Sequence, residues 1–232
     1  MCGITGFLDT SRSKSSEQLT LIARRMATSL RHRGPEDEGV WVDPTTGIAF
    51  GHRRLSIIDL SPMGHQPMHS SSGRYVITFN GEIYNFKALR QELAQLGETF
   101  RGHSDTEIML AAIARWGVEA SLKKFNGMFA FGLWDREEQT LYLSRDRAGE
   151  KPLYYGWAGK TLVFGSELKR SSSTPIFAAT STAARLPFIC ATITFRHRIQ
   201  STRASTNSRL EPCSRSAALA VMHRQSLIGP RR

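Results

Sequence analysis

Apolar positions at three- and four-residue spacing predict three helices in the first 169 residues. The first begins at Ser15-Ser16-Glu17, places Leu19, Ile22, Met26 and Leu30 on one face, and ends before Gly34-Pro35. The second spans residues 86–96, with Asn85 as its N-cap and Gly97 at its end. The third follows Ser104-Asp105-Thr106-Glu107, which has the form of a capping box, and ends at Gly117.

Short apolar and β-branched runs predict strands around these helices. Residues 3–8 (GITGFL) predict a buried strand, and residues 40–42 and 47–50 predict a hairpin. Residues 75–79 predict a strand that continues into NGEIYN, and four more runs follow: FAFGLWD, TLYLSRDR, PLYYGW and TLVFGSE. Strands, helices and strands again indicate an α+β fold in which helices cover sheets.

The pattern stops near residue 170. Residues 170–232 are rich in Ser, Thr, Ala and Arg, contain no Trp or Tyr, and show no sustained period. Their composition predicts a disordered tail. We therefore divide the chain into a domain at 1–169 and a tail at 170–232.

The tail also carries most of the charge. The chain has a net charge of +11, of which residues 171–232 contribute +8 through nine arginines and one acidic residue, Glu211. No basic stripe interleaved with aromatic residues occurs before the tail. A nucleic-acid partner is therefore not expected.

The three cysteines, Cys2, Cys190 and Cys213, have no framework spacing, and their odd number indicates a reducing compartment. No CxxC pair or His-rich spacing predicts a metal site, and neither a signal peptide nor a membrane span is evident. We expect a cytoplasmic protein.

Cys2 carries the candidate chemistry. If Met1 is removed, Cys2 holds both a thiol and a free α-amine, whose reference pKa is about 7.7–8.0. Such an amine is a suitable general base near neutral pH, so the thiol needs no histidine. On Cys2 alone, a position that merely tolerates cysteine is the more frequent explanation.

Five motifs in order change that balance: MCGI at 1–4, RHRGP at 31–35, HRRLSI at 52–57, NGEIYN at 80–85 and SDTE at 104–107. Together they resemble the class II glutamine amidotransferases, and most of all the glutaminase domain of glutamine-hydrolysing asparagine synthetase. The resemblance covers residues 1–169. It implies the four-layer αββα sandwich of the N-terminal nucleophile hydrolases.

The resemblance implies a catalytic role for three residues. Cys2 would attack the side-chain amide of L-glutamine, with its own α-amine carrying the proton to departing ammonia. The Asn80 side chain and the Gly81 N–H would stabilise the oxyanion. Taken alone, Asn-Gly is equally typical of an ordinary turn.

It also implies a substrate pocket. Arg54 would bind the α-carboxylate of glutamine, with its neighbour Arg53 as the alternative. Asp105 would pair with the α-ammonium group, a role compatible with capping a helix. The remaining predicted pocket residues are Glu82 and the backbone of Leu55 and Ile57. Arg145, Asp146 and Arg147 are interpreted as a structural ion-pair cluster.

Relatives of this type activate aspartate with ATP in a second domain that contains a Ser-Gly-Gly-Leu-Asp-Ser loop. No such loop occurs here, so we expect no cofactor on this chain, and ATP and Mg²⁺ would belong to the missing synthetase domain. The chain would be a truncated product. Two alternatives stay open: a freestanding subunit that feeds a separate synthetase chain, and a catalytically idle protein that binds glutamine or a partner.

The tail itself is interpreted as a frameshifted translation of the interdomain linker of these relatives. One base earlier, codons for ATITFRHRIQST at 191–202 can encode RHHHIPAPHSIY, and the next ten residues can encode SGVHQLPPGA. These strings match the linker pattern at sensible spacing. The alternative is a genuine arginine-rich tail that binds an acidic partner.

Overall fold

The computed structural model describes residues 1–55, 62–167, 191–196 and 218–222. The strands are β1 (Gly3–Asp9), β2 (Asp37–Asp43), β3 (Ile48–Arg54), β4 (Met68–His69), β5 (Tyr75–Ile83), β6 (Gly127–Asp135), β7 (Thr140–Arg145), β8 (Tyr154–Ala158), β9 (Thr161–Gly165), β10 (Ala191–Arg196) and β11 (Ala218–Met222). The α-helices are α1 (Ser16–Ser29), α2 (Phe86–Gln95), α3 (Asp105–Trp116) and α4 (Val118–Lys124), and Pro62–Gly64 forms a 3₁₀ turn.

The strands form two sheets. The first has the order β2-β3-β1-β9-β8, and the second has the order β11-β10-β7-β6-β5-β4. Strand β1, which follows Cys2, lies between β3 and β9 and pairs antiparallel with both. Strand β5 pairs antiparallel with β6 along its whole length, from Tyr75↔Asp135 to Ile83↔Gly127.

Three apolar clusters define four layers. One cluster packs α1 against the first sheet and includes Phe7, Leu19 and Ala49. A second lies between the two sheets and includes Phe50, Trp134 and Phe164. The third and largest packs α2, α3 and α4 against the second sheet. The molecule is therefore an α+β protein with an αββα sandwich, as the resemblance implied.

Most predicted elements are present. Ser15 caps α1 with a complete capping box, because its hydroxyl accepts from the Gln18 N–H and the Gln18 side chain accepts from the Ser15 N–H. The predicted hairpin forms as β2 and β3. The four runs after residue 127 form β6 to β9.

Two local predictions need correction. Asn85 occupies the N-cap position of α2, but its side chain makes no capping hydrogen bond. Instead it donates to the Lys124 carbonyl and accepts from the Asn126 N–H, which ties the start of α2 to the end of α4. Helix α4 was not predicted at all, since seven residues are too few to show a helical period.

Two segments of the predicted tail also differ from disorder. Residues 191–196 pair antiparallel with β7 as β10, and residues 218–222 pair parallel with β10 as β11. The β-branched run Thr192-Ile193-Thr194 suits a strand, and β7 provides an open edge for it. The rest of the predicted tail at 170–232, including Cys190 and Cys213, lies outside the described residues. Among the helices of the described chain, none is long and apolar enough to cross a membrane.

Candidate active site

Cys2 lies at the start of β1, at one end of the sandwich. Its thiol donates to the Leu55 carbonyl at 3.5 Å, and its Sγ accepts from the Leu55 N–H at 3.3 Å. Arg33 donates from Nε to the Cys2 carbonyl at 3.1 Å and is itself paired with Glu167. The Cys2 sulfur is thus held by the backbone of the HRRLSI motif, and the Cys2 carbonyl by an arginine of the RHRGP motif.

The same end of the sandwich exposes one edge of β5. Phe79 donates its N–H to the Gln66 side chain at 2.7 Å, and Ile83 donates its N–H to Asp105 at 2.9 Å. Gly81 lies midway, and alternate residues of an antiparallel strand direct their N–H groups to the same edge. Phe129, opposite Gly81 on β6, donates its own N–H to Asp146 instead. The Gly81 N–H therefore faces the pocket rather than β6.

Asn80 supplies a second donor in this pocket. The side chain of Thr78 reaches the Gly51 carbonyl on the opposite sheet, and Asn80 shares that face of β5. Asn80 is only 2% exposed, and within the described part of the chain its Nδ2 atom has no hydrogen-bond partner. An unsatisfied buried donor costs about 1–3 kcal/mol, so its presence marks a position at which a ligand acceptor is expected.

Gly81 is required by packing as well as by chemistry. A Cβ atom there would overlap the Met128 carbonyl oxygen and lie 2.6 Å from the Phe129 Cα atom. Glycine thus allows β5 and β6 to approach each other beside the pocket.

The adjacent arginines of β3 point to opposite faces. Arg53 faces the α1 side, where it donates to the carbonyls of Gly34 and Pro35 and pairs with Glu38 at 2.7 Å. Arg54 lines the pocket, and its guanidinium lies so close to Gly64 that any side chain at that position would overlap it. The geometry therefore favours Arg54 over Arg53 as the pocket cation.

Asp105 is the buried anion of the pocket. It is 5% exposed at the first turn of α3, whose Ser104 cap accepts from the Glu107 N–H at 3.2 Å. The pKa of Asp105 is raised to about 6, chiefly by burial and also by the charge of Glu82, while hydrogen bonds from the N–H groups of Ile83 and Thr106 act to lower it. A cationic ligand would stabilise the ionised form of this buried carboxylate.

The pocket brings together all the predicted site residues that the structure describes. They are Cys2, Arg54, Leu55, Asn80, Gly81, Glu82 and Asp105. Ile57 lies outside the described residues. Proximity places these residues but does not test their roles, which stay predictions.

Several lining residues were not predicted. Gln66 is buried and holds the Phe79 N–H, and Lys151 is 7% exposed with its Nζ atom 3.4 Å from the Met1 sulfur. Phe79, Gly64, Ser104, Thr106 and Met128 also line the pocket. Ser104 and Thr106 belong to the SDTE motif, whereas Gln66 and Lys151 lie outside the five motifs.

Asp146 stands apart from the chemistry. Its carboxylate accepts the N–H groups of Phe129, Glu150 and Lys151, and so organises the turn that carries Lys151 to the pocket. Arg145 donates to the Gly149 carbonyl in the same turn. These contacts join the two side chains to backbone groups of the turn, and the ion-pair cluster of Arg145, Asp146 and Arg147 stays a prediction.

The arrangement is suited to one kind of chemistry. A thiol nucleophile lies in the same pocket as two donors for an oxyanion, a guanidinium and a buried carboxylate. Opposite charges of this kind match the α-carboxylate and α-ammonium groups of an amino acid, while the thiol and the donors match attack on a side-chain carbonyl. In the described residues no group of three or more His, Cys, Asp or Glu side chains is arranged to hold a metal ion.

Comparisons with known proteins point the same way. A family model described as a glutamine amidotransferase domain matches residues 1–212. The chain is similar to glutamine-hydrolyzing asparagine synthetase 3 of Bacillus subtilis, with 40% identity over 171 residues, 73% of this chain and 27% of that protein. It is also 36% identical over 185 residues to a putative glutamine-hydrolyzing asparagine synthetase 2 of Methanocaldococcus jannaschii, covering 73% of this chain and 34% of that protein. The chain spans about a quarter to a third of the length of these relatives.

A solved structure shares the fold. The glutamine phosphoribosylpyrophosphate amidotransferase of Bacillus subtilis superposes with a TM-score of 0.60 at 23% identity, covering 71% of this chain and 42% of that chain. At this identity the likeness bears on the fold alone. It agrees with the α+β sandwich described above.

Proposed function

The chain belongs to the glutamine amidotransferase domain family, and on that premise we propose that it hydrolyses L-glutamine to glutamate and ammonia through a thioester on Cys2. The observation that carries this proposal is the buried, unpartnered Nδ2 donor of Asn80 in the pocket that also contains Cys2. A buried amide donor beside a nucleophile is the requirement of acyl transfer.

Substrate binding uses the two charges of the pocket. The Arg54 guanidinium pairs with the α-carboxylate of glutamine, and the ionised Asp105 carboxylate pairs with its α-ammonium group. The side-chain amide then extends toward Cys2. Lys151 and Glu82 line the same pocket and contribute one charge of each sign.

The first half-reaction forms the thioester. After removal of Met1, the free α-amine of Cys2 takes the thiol proton as Sγ attacks the side-chain carbonyl carbon. The carbonyl oxygen becomes an oxyanion that accepts from Asn80 Nδ2 and the Gly81 N–H. The intermediate collapses with cleavage of the C–N bond, and the protonated α-amine gives its proton to the departing ammonia.

The second half-reaction restores the enzyme. The α-amine takes a proton from water, whose oxygen attacks the thioester carbonyl. The same two donors stabilise the second oxyanion, and cleavage of the C–S bond releases glutamate. The proton returns to sulfur from the α-ammonium group.

The fate of the ammonia is a further part of the proposal. The names of the curated relatives and the RHRGP and NGEIYN motifs support the asparagine-synthetase branch, in which ammonia would pass to an activated aspartate. The acceptor chemistry would lie in a synthetase domain or chain, together with its ATP and Mg²⁺. We propose that this takes place in the cytoplasm.

A glutaminase assay tests the core of the proposal. Purified full chain should release glutamate from L-glutamine, and the Cys2→Ala variant should not. If the wild-type chain binds glutamine by calorimetry but releases no glutamate, the idle binding protein is the correct alternative. Co-purification of a synthetase chain from the source cells would identify the freestanding subunit.

A further inference from the structure

His52 links the sheet that carries the nucleophile to the strand that carries the oxyanion donors. It is 1% exposed on β3 and lies directly opposite Ile4 of β1, two residues from Cys2. Its Nε2 atom lies 3.0 Å from the Phe79 carbonyl oxygen on β5 of the other sheet. None of the catalytic steps above uses this buried imidazole.

The bonded carbonyl belongs to the peptide group that joins Phe79 to Asn80. The N–H of Phe79 is held by the Gln66 side chain at 2.7 Å, while His52 holds its carbonyl. Both polar groups of the residue before Asn80 are therefore bound by side chains, at the edge of β5 that faces away from β6. These two contacts help to fix the peptide group that joins Phe79 to Asn80.

The imidazole is a neutral donor. Burial lowers the pKa of His52 to about 4, although its hydrogen bond with Phe79 and the charge of Asp37 raise it. A carbonyl oxygen has no proton to give, so the neutral ring must carry its hydrogen on Nε2. The contact is consequently an N–H···O=C hydrogen bond throughout the neutral pH range.

We propose that His52 is a positioning residue that sets the separation between the Cys2 sulfur and the oxyanion donors of Asn80 and Gly81. The inference rests on the proposed glutaminase function. Oxyanion donors act only when they lie about 2.7–3.1 Å from the developing charge, and a displacement of about 1 Å can cost about 100-fold in rate. The groups that bind the α-carboxylate and α-ammonium of glutamine are Arg54 and Asp105, so the main effect of His52 falls on kcat rather than KM.

Two substitutions at His52 form a matched pair. His52→Leu removes the donor while filling most of the volume, and His52→Gln keeps an N–H donor near the position of Nε2. Thr78→Val is the control, because it removes another cross-sheet hydrogen bond, from Thr78 Oγ1 to the Gly51 carbonyl at 3.3 Å. Thr78 has no part in the catalytic or binding machinery.

Steady-state glutaminase kinetics and the melting temperature of each full-length variant provide the test. His52→Leu should lower kcat by about 10- to 100-fold and change KM by less than about threefold. His52→Gln should recover most of kcat, and Thr78→Val should keep kcat within about twofold even if it melts earlier. If His52→Leu does not fold, His52→Asn replaces it, because its amide is too short to reach Phe79. Folded His52→Asn should then have a lower kcat than folded His52→Gln.

The inference fails if the variant without the donor keeps the wild-type kcat, or if Thr78→Val loses as much activity as His52→Leu. It also fails if Leu and Gln at position 52 are equally slow. A wild-type chain that releases no glutamate would instead overturn the proposed function itself. The two failures are thus separable by the wild-type measurement.

Discussion

At the residue scale, the alternation of side chains along β3 assigns adjacent arginines to different tasks. Phe50, His52 and Arg54 share the face toward the second sheet, whereas Arg53 faces α1. Arg53 stabilises the fold through three hydrogen bonds, and Arg54 presents its charge to the pocket.

The arginine pair therefore predicts a split between binding and stability. Arg54→Ala should raise KM for glutamine by at least about 30-fold, since loss of one partner from a buried charge pair costs roughly 2–5 kcal/mol. Arg53→Ala should lower the melting temperature and leave KM within about threefold. Kinetics and thermal unfolding of the two variants check this, and the opposite assignment of effects would mean that Arg53 binds the substrate.

Asp105 predicts that glutamine binding is lost on acidification. Its pKa of about 6 means that the carboxylate is ionised at neutral pH and becomes protonated as the pH falls through about 6. Protonation removes the partner of the substrate α-ammonium group. Calorimetry with Cys2→Ala, in which the nucleophile cannot react, should show the affinity falling below this pH. An affinity that is constant from pH 8 to pH 5 would exclude Asp105 as that partner.

The same carboxylate predicts a stability cost. A folded-state pKa raised above the unfolded value gives stability that is present below pH 4 and lost as the pH rises through about 6. The difference corresponds to roughly 3 kcal/mol at most. Urea unfolding at pH 7.5 should find Asp105→Asn more stable than wild type, with the advantage shrinking toward pH 4. A less stable variant at pH 7.5 would show that the charge stabilises the fold.

At the element scale, β5 is the central component of the site. Its half near Tyr75 pairs with β4 and β6, while its half near Ile83 leaves one edge open to the pocket. Asn80 and Gly81 lie on this second half, and the side chains of Gln66, His52 and Asp105 hold its backbone groups along that edge. A strand edge that would otherwise need a partner strand thus becomes the donor surface of the site.

Substitution of Gly81 on β5 should lower the stability of the fold, whereas the same substitution of Gly156 on β8 should not. Gly81→Ala should destabilise the fold by about 1–3 kcal/mol, because the added Cβ overlaps the Met128 carbonyl on β6. Gly156→Ala on β8 is the matched control, since a Cβ there meets nothing within 4 Å. Chemical unfolding of both variants checks the contrast, and equal effects would contradict the packing described for β5.

Elements with a local signal were predictable from the sequence. The Ser15 cap, the β2–β3 hairpin and the strands β6 to β9 follow from side-chain type and short periods. The placement of β1 between β3 and β9 was not predictable, since it depends on contacts between residues 40 or more positions apart. Helix α4 was missed because seven residues are too few to show a helical period, and the bridging role of Asn85 was missed because it depends on neighbours in space.

The candidate site shows the same division. Motif residues such as Asn80 and Asp105 could be assigned by resemblance, and the structure places them in one pocket. Gln66 and Lys151 come from loops, where no period indicates the direction of a side chain. The proposed role of His52 was not predictable from the sequence because its hydrogen-bond partner is a backbone carbonyl on the opposite sheet.

At the scale of the whole molecule, the two sheets meet at one end to form the site. The proposed nucleophile, Cys2, precedes a strand of the first sheet, the proposed oxyanion donors lie on a strand of the second, and α3 adds Asp105. No single layer contains the whole pocket. Packing between layers therefore controls the chemistry, which is why cross-sheet contacts such as that of His52 matter.

The arginine-rich tail gives a prediction at this scale that does not depend on the site. If it is a frameshifted linker, the second reading frame of the gene should encode RHHHIPAPHSIY followed by SGVHQLPPGA. Sequencing the gene and its transcript checks this. Absence of both strings from the shifted frame would favour a genuine basic tail with an acidic partner.

We propose that Cys2, as the first residue of the mature chain, forms a thioester with the side chain of glutamine. Intact-mass measurement of enzyme quenched with acid during turnover would detect this intermediate. We expect loss of Met1 and a population heavier by one γ-glutamyl group, located on Cys2 by peptide mapping and absent from Cys2→Ala. A fully active preparation that retains Met1, or a Cys2→Ala variant that still releases glutamate, would contradict it.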